Sequence, residues 1–205
     1  MDILPKTLES CLSSVFDPID VTIASAIVAA YGLKTSATSN TPATTKAVLD
    51  FGNDVSFALP ARSFTRSWSS SSVPGTAAFL YHFNCPNPWD GPWRGHAIHI
   101  QDIAFVFQNY KDHLSLGQQQ SGDRFARDII TFVNGDDPWP AYENGVKPGS
   151  MVYYAPTEGD KDESKFVPDE TSEQTGRNYI LQKLLTAALF DKLADAWQLF
   201  IQSPR

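Results

Sequence analysis

The residues best equipped for chemistry lie between Tyr81 and Asp102, in the run YHFNCPNPWDGPWRGHAIHIQD. His96 and His99 stand just ahead of an apolar stretch, IAFVFQNY, and Asp102 follows His99 by one helical turn. An imidazole exchanges its proton near neutrality, so a histidine at a helix entrance can serve as general acid or base. A carboxylate three residues along the same helix can orient that ring or sit beside it. Trp89, Asp90 and Trp93 occupy the loop before the histidines, where two indoles would wall an apolar, water-poor cavity. Tyr81 and His82 alternate ahead of that loop, so one of them faces the cavity. The pattern therefore offers His99 as a general acid or base, with Asp102, Asp90 or a residue across a dimer interface to orient it. Tyr81, Trp89, Asp90, Trp93 and His96 are the expected substrate contacts. No His-Glu-x-x-His or Cys-x-x-Cys spacing supports a metal, and dinucleotide, phosphate-loop and calcium-loop signatures are absent, so no cofactor is expected.

These residues need a strand, a loop and a helix to hold them. TAAFLYHFN is a continuous apolar run, which predicts a strand buried on both faces. CPNPWDGPWRG holds three prolines and two glycines and excludes regular structure. IQDIAFVFQNY and SGDRFARDIITFVNG read as helices, the second starting at Ser121 or Asp123 and stopping at Asn134-Gly135. SMVYYAP is a short strand, TEGDKDESKFVPDETSEQTG a charged loop, and RNYILQKLLTAALFDKLADAWQLFIQ the longest helix. Upstream, Asp20 is placed to cap a helix with Ile23, Ile27, Ala30 and Tyr31 on one face and Gly32 at its end. TTKAVLDFGNDVSFALPARSFTRSW reads as two helical pieces split near Gly52 and Asn53. The second carries a stripe of Phe57, Ala61, Phe64 and Trp68, and Pro60 fits it only in a first turn. No repeat interrupts the chain and the connectors are short, so a single domain over 1–205 is expected.

Composition narrows the function classes. With 42% hydrophobic and 19% charged residues, a chain of 205 residues has enough apolar mass for a core. A net charge of −7 leaves no basic surplus for phosphates, which argues against nucleic acid. No apolar run reaches the ~20 residues that span a bilayer, and the start, MDILPKTLESCLSSVF, is acidic and proline-broken, unlike a signal peptide. Cys11 and Cys85 cannot make a disulfide framework and read as buried, inert thiols; a cytoplasmic location is expected.

The segment GHAIHIQDIAFVFQNY resembles the catalytic-histidine motif of type-B carboxylesterases, the cholinesterase-like branch of the α/β-hydrolases, and especially of their fungal members. His99 falls on that family's general base and Asp102 on its acidic neighbour. GTAAFLYHFN resembles the strand feeding the histidine loop, FGNDVSFALPARSF the helix before it, and FVNGDDPWPAY the helix exit after it; residues 50–142 carry the specific part. The resemblance implies the C-terminal third of the family, a helix-rich α/β fold with a short, incomplete sheet. It also implies a homodimer, since an interrupted sheet leaves edge and apolar area to cover and family members associate through their C-terminal helix. The family's Gly-x-Ser-x-Gly elbow has no counterpart here, nor do its oxyanion-hole glycines, and Asp2, Asp17 and Asp20 sit in no triad-acid motif. A base without a nucleophile has nothing to activate, so the implied chemistry is proton transfer. The expectation is a stand-alone, non-hydrolytic isomerase or cyclase templating a small apolar metabolite, of the fungal secondary-metabolism type. The alternatives are a truncated or split serine carboxylesterase and a non-catalytic binding module.

Overall fold

The computed structural model describes residues 3–71, 75–143, 148–155, 164–169, 176–186 and 189–204. They form two compact units, one of Met1–Phe64 with Ser172–Arg205 and one of Thr65–Thr171. The whole is helix-rich with a small three-stranded mixed sheet.

The first unit is helical. In α1 (Leu4–Phe16) Pro5 sits in the first turn, where its missing N–H costs nothing, and Leu8, Leu12 and Phe16 bury one face. Asp20 caps α2 (Val21–Ala30) by accepting the Thr22 amide at 2.8 Å, and Gly32 ends it at φ +60°, a left-handed turn that glycine adopts freely. Ile27 and Tyr31 are buried on the expected face, with Ile23 and Ala30 packed beside them.

Thr41 and Thr44 form a reciprocal cap on α3 (Pro42–Asn53). The α-helix ends at Asn53, where the split is expected, and the chain passes through a π-helical turn, Asp54–Ala58, into a second piece, α4 (Leu59–Ser69). Pro60 explains the turn: its ring cannot share space with a carbonyl four residues back, and just before it the Leu59 amide reaches five residues back, to Asp54 O. Phe51, Val55 and Leu59 take the core positions, so Phe57, Phe64 and Trp68 of the expected stripe are solvent-exposed.

The expected longest helix is two, α7 (Gly176–Thr186) and α8 (Phe190–Gln202). On one straight helix Leu184 and Leu193 would lie roughly 180° apart at ~100° per residue. Both are buried in the same core with Leu181, Ala196 and Phe200, which an interruption between the two helices permits. Gly52 gives the Trp197 indole its seat, since a Cβ there would stand 2.3 Å from the ring.

A buried charge joins α2, the π turn and α7. Tyr31 Oη donates to Asp54 Oδ2 at 2.8 Å, Arg177 Nε approaches the same oxygen at 3.2 Å, and Arg177 Nη1 lies 3.4 Å from Asp50. Lys46 pairs with Asp50 at 2.6 Å. Burial pushes the Asp54 carboxyl above the usual aspartate range, with the Arg177 guanidinium opposing it.

The second unit holds the sheet, in the order β1 (Tyr81–Phe83), β2 (Gly149–Tyr153), β3 (Lys165–Pro168). β1 runs parallel to β2, pairing Tyr81 with Met151 and Phe83 with Tyr153, while β3 runs antiparallel and pairs Met151 with Phe166. A parallel pair needs a long crossover, here supplied by α5 (Gln101–Val106) and α6 (Leu116–Val133). The apolar run before the loop is thus a three-residue edge strand with Tyr81 and His82 exposed, not a strand buried on both faces. β2, central, is the buried one. β3 falls inside the expected charged loop, most of which lies outside the described residues. Cys85, Phe105, Leu114, Phe125, Trp139, Met151, Tyr153 and Ala155 form the core. Both cysteines are buried, and burial pushes the Cys85 thiol up to about 11, as an inert thiol requires.

Arg177→Met tests the buried charge. Asp54 contributes stability that is present below the unfolded carboxyl value of ~3.9 and lost as pH rises through its raised folded value. Removing the cation raises that value further. We expect a loss of ~1–3 kcal/mol at pH ~7, a discounted figure because Arg177 is partly exposed, shrinking as Asp54 protonates. Urea unfolding at both pH extremes measures it; a deficit as large in acid as at neutrality would refute the assignment.

Candidate active site on the His99 loop

The loop between β1 and α5 is pinned from behind. Pro86 O accepts the side-chain amides of Gln101, at 3.3 Å, and Gln118, at 2.8 Å, so one carbonyl fixes the loop to both crossover helices. Gln101 Oε1 accepts the Ile98 amide, and both glutamines are buried. Inside the loop the Asn87 amide donates to His96 O and the Gly95 amide to Asn87 O, closing a ring around Trp89, Asp90 and Trp93. Asn87 Oδ1 takes the Trp89 amide at 3.0 Å.

On this frame the expected site residues separate. His99 is exposed in the turn before α5, followed by Ile100 in the left-handed region at φ +68°. Asp102, in the first turn of α5, accepts the Tyr81 hydroxyl on Oδ2 at 3.0 Å and its neighbour's amide, Ile103 N, on Oδ1. Tyr81 and Asp102 are therefore brought together across the loop. Trp89 is partly exposed and meets Tyr110 edge-on at 5.9 Å, while Trp93 is half-buried in a turn. Asp90 is exposed and engaged by Arg94 one turn on. His96 is exposed, and its backbone closes the loop.

His96, His99 and their neighbours Ile98 and Ile100 are exposed. The reason lies in α5, which is helical only from Gln101 to Val106, not through Tyr110. Its inward residues, Gln101 and Phe105, fill the space beneath it, leaving Ile98, Ile100 and Ile103 outside.

Sequence reasoning missed Gln101 and Gln118. The second had a local signal, because Ser115 and Gln118 form a capping box that starts α6 at Leu116, well before Ser121. It also missed the buried pair beneath Tyr81, where Tyr153 Oη donates to Asp128 Oδ2 at 2.9 Å and Arg124 holds the same carboxylate at 2.7 Å. The Tyr81 ring packs on Phe125 at 5.2 Å and on Tyr153 at 6.2 Å. Burial, reinforced by the Asp102 charge, pushes the Tyr81 phenol up to about 12, so it remains a donor across the physiological range.

Among the described residues no group of three or more His, Cys, Asp or Glu could hold a metal ion, and no helix is long and apolar enough to cross a membrane. No protein-family model matches the chain, and no curated protein matches it either.

The Tyr81–Asp102 link has a pH signature. Stability tied to the neutral phenol is present below the ordinary tyrosine value of ~10 and lost as pH rises through about 12. Asp102→Asn removes the charge that opposes the phenolate and should bring Tyr81 down from about 12 while burial keeps it above ~10. Absorbance titration of the phenolate band, assigned by its loss in Tyr81→Phe, checks this; an unmoved midpoint would refute it.

Proposed function

We propose that the His99 loop is a proton-transfer site, and that the protein is a carboxylesterase-like, non-hydrolytic isomerase or cyclase acting on a small apolar metabolite. The observation carrying this reading is the 3.0 Å hydrogen bond from Tyr81 to Asp102. It ties the strand before the loop to the helix after it, in the strand–histidine–helix order that the esterase resemblance requires. His99, three residues before Asp102 in sequence, is the acid or base. Tyr81 is the neutral donor that can meet a developing enolate, and the exposed isoleucines and Trp89 offer an apolar substrate its contacts. A Gly-x-Ser-x-Gly serine is absent from the sequence, which supports proton transfer over acyl transfer.

The test is deuterium incorporation from heavy water into a panel of small apolar ketones. The chain should exchange at least one, and His99→Ala should lower the rate by ~10²-fold or more with the fold intact, while His96→Ala does much less. A His99→Ala variant that keeps its rate, or a wild type inactive on the whole panel, would overturn the reading.

One observation favours a second reading, a split esterase completed by another chain. Among the described residues β1 is the edge strand of the sheet, the position at which a strand from another chain adds. Under that reading a fluorophosphonate labels a serine stoichiometrically; under ours none is labelled. The same edge supports a homodimer, which light scattering should report as twice 22.6 kDa. A mass of 22.6 kDa across a micromolar concentration series would exclude it.

A further inference from the structure

Among the described residues three non-glycine positions have positive φ, Ile100 at +68°, Gln108 at +57° and Tyr110 at +63°. All three flank α5, one before it and two after. Ile100 is the costly one, because a β-branched side chain in the left-handed region meets its own backbone. Six residues cannot sustain a helix unaided, so α5 is held by what it touches. Its anchors include Phe105, buried in the core and edge-on to Phe83 at 5.0 Å, the Gln101 amide on Pro86 O, and Asp102 on Tyr81. The opposite side leaves Ile103 49% and Phe107 71% exposed. Beneath Phe105 lies an aromatic floor, with Phe83 5.6 Å from Phe125 and Phe125 4.5 Å from Tyr153. Gly122 of α6 completes it, since a Cβ there would lie 3.4 Å from the Phe105 ring.

We infer that α5 is a strained flap with two positions, and that the floor under Phe105 is a binding surface for a neutral aromatic ring. Swinging α5 outward relaxes Ile100, Gln108 and Tyr110, lifts Phe105 off Phe83, and opens a space beneath the His99 loop. The incoming ring takes the place of the Phe105 ring and makes the same edge-on contacts. Asp102 leaves Tyr81 in the same movement, freeing the phenol to donate to a polar atom on the ligand. This deepens the proton-transfer reading by naming the ligand class and the gate. The motion itself does not depend on His99 being catalytic.

Hydrogen exchange of the intact chain tests the flap, and indole serves as the neutral aromatic probe. Amides 101–106 should exchange through a local opening, faster than the buried turns of α6 around Phe125. Ile100→Gly and Ile100→Asn both remove the left-handed penalty and should slow that exchange by about 2- to 5-fold, less for glycine because it also frees the open segment. Indole should shift the amides of Phe83 and Phe125 saturably, and more strongly in Phe105→Leu. Exchange of α5 at the rate of α6, or no slowing in either Ile100 variant, overturns the flap; no saturable shift with indole overturns the binding surface. A failure on these counts with His99→Ala still inactive would leave the proton-transfer reading standing, whereas an active His99→Ala would remove that reading and leave the flap.

Discussion

The backbone carbonyl of Pro86 carries the candidate site. Proline gives it no amide to pair, and the loop around it has no ladder, so its position depends on what it accepts. Two buried glutamine amides, from Gln101 and Gln118, converge on it. A carbonyl buried without partners costs ~1–3 kcal/mol, and each of these amides would be orphaned by moving away from it. The loop, α5 and α6 are thus positioned by one acceptor, and Asn87, Trp89 and the turn that presents His99 follow from it.

Around that acceptor the second unit is built in layers of decreasing constraint. β2 is central and buried, and Tyr153 anchors it to α6 through Asp128 and Arg124. Among the described residues β1 pairs with β2 at the edge of the sheet, and Tyr81 ties it to α5. α5 is tied to the core through Phe105 and to the loop and β1 through Gln101 and Asp102, with left-handed residues at both ends. Strain and exposure therefore collect around the candidate site.

The first unit solves a different problem, that of a charge inside a helical core. Asp54 is held by a tyrosine, an arginine and the geometry of a π turn, and that turn exists because Pro60 follows it. Trp197 packs flat on Phe200 and sits where Gly52 lacks a side chain, so α8 approaches α3 more closely than any other residue at position 52 would allow.

The sequence by itself determined what acts over one turn of chain. Asp20 and Gly32 bound α2, Asn134-Gly135 ended α6, SMVYYAP became β2, and the order strand, proline loop, histidine, helix was legible from residue types alone. Caps, prolines and left-handed glycines work through neighbours three or four residues away, so they survive any tertiary context. Tertiary structure decided which face each element shows. The run before the loop is apolar enough for a central strand, yet only the pairing partner makes it an edge. α7 and α8 could have been one helix by propensity, and the need to bury Leu184 and Leu193 in one core divides them. His99 was legible as a residue able to exchange protons; its exposure was not, because it depends on Phe105 and Gln101 filling the space beneath α5. Periodicity records which residues are apolar, while burial depends on which distant residues arrive to cover them.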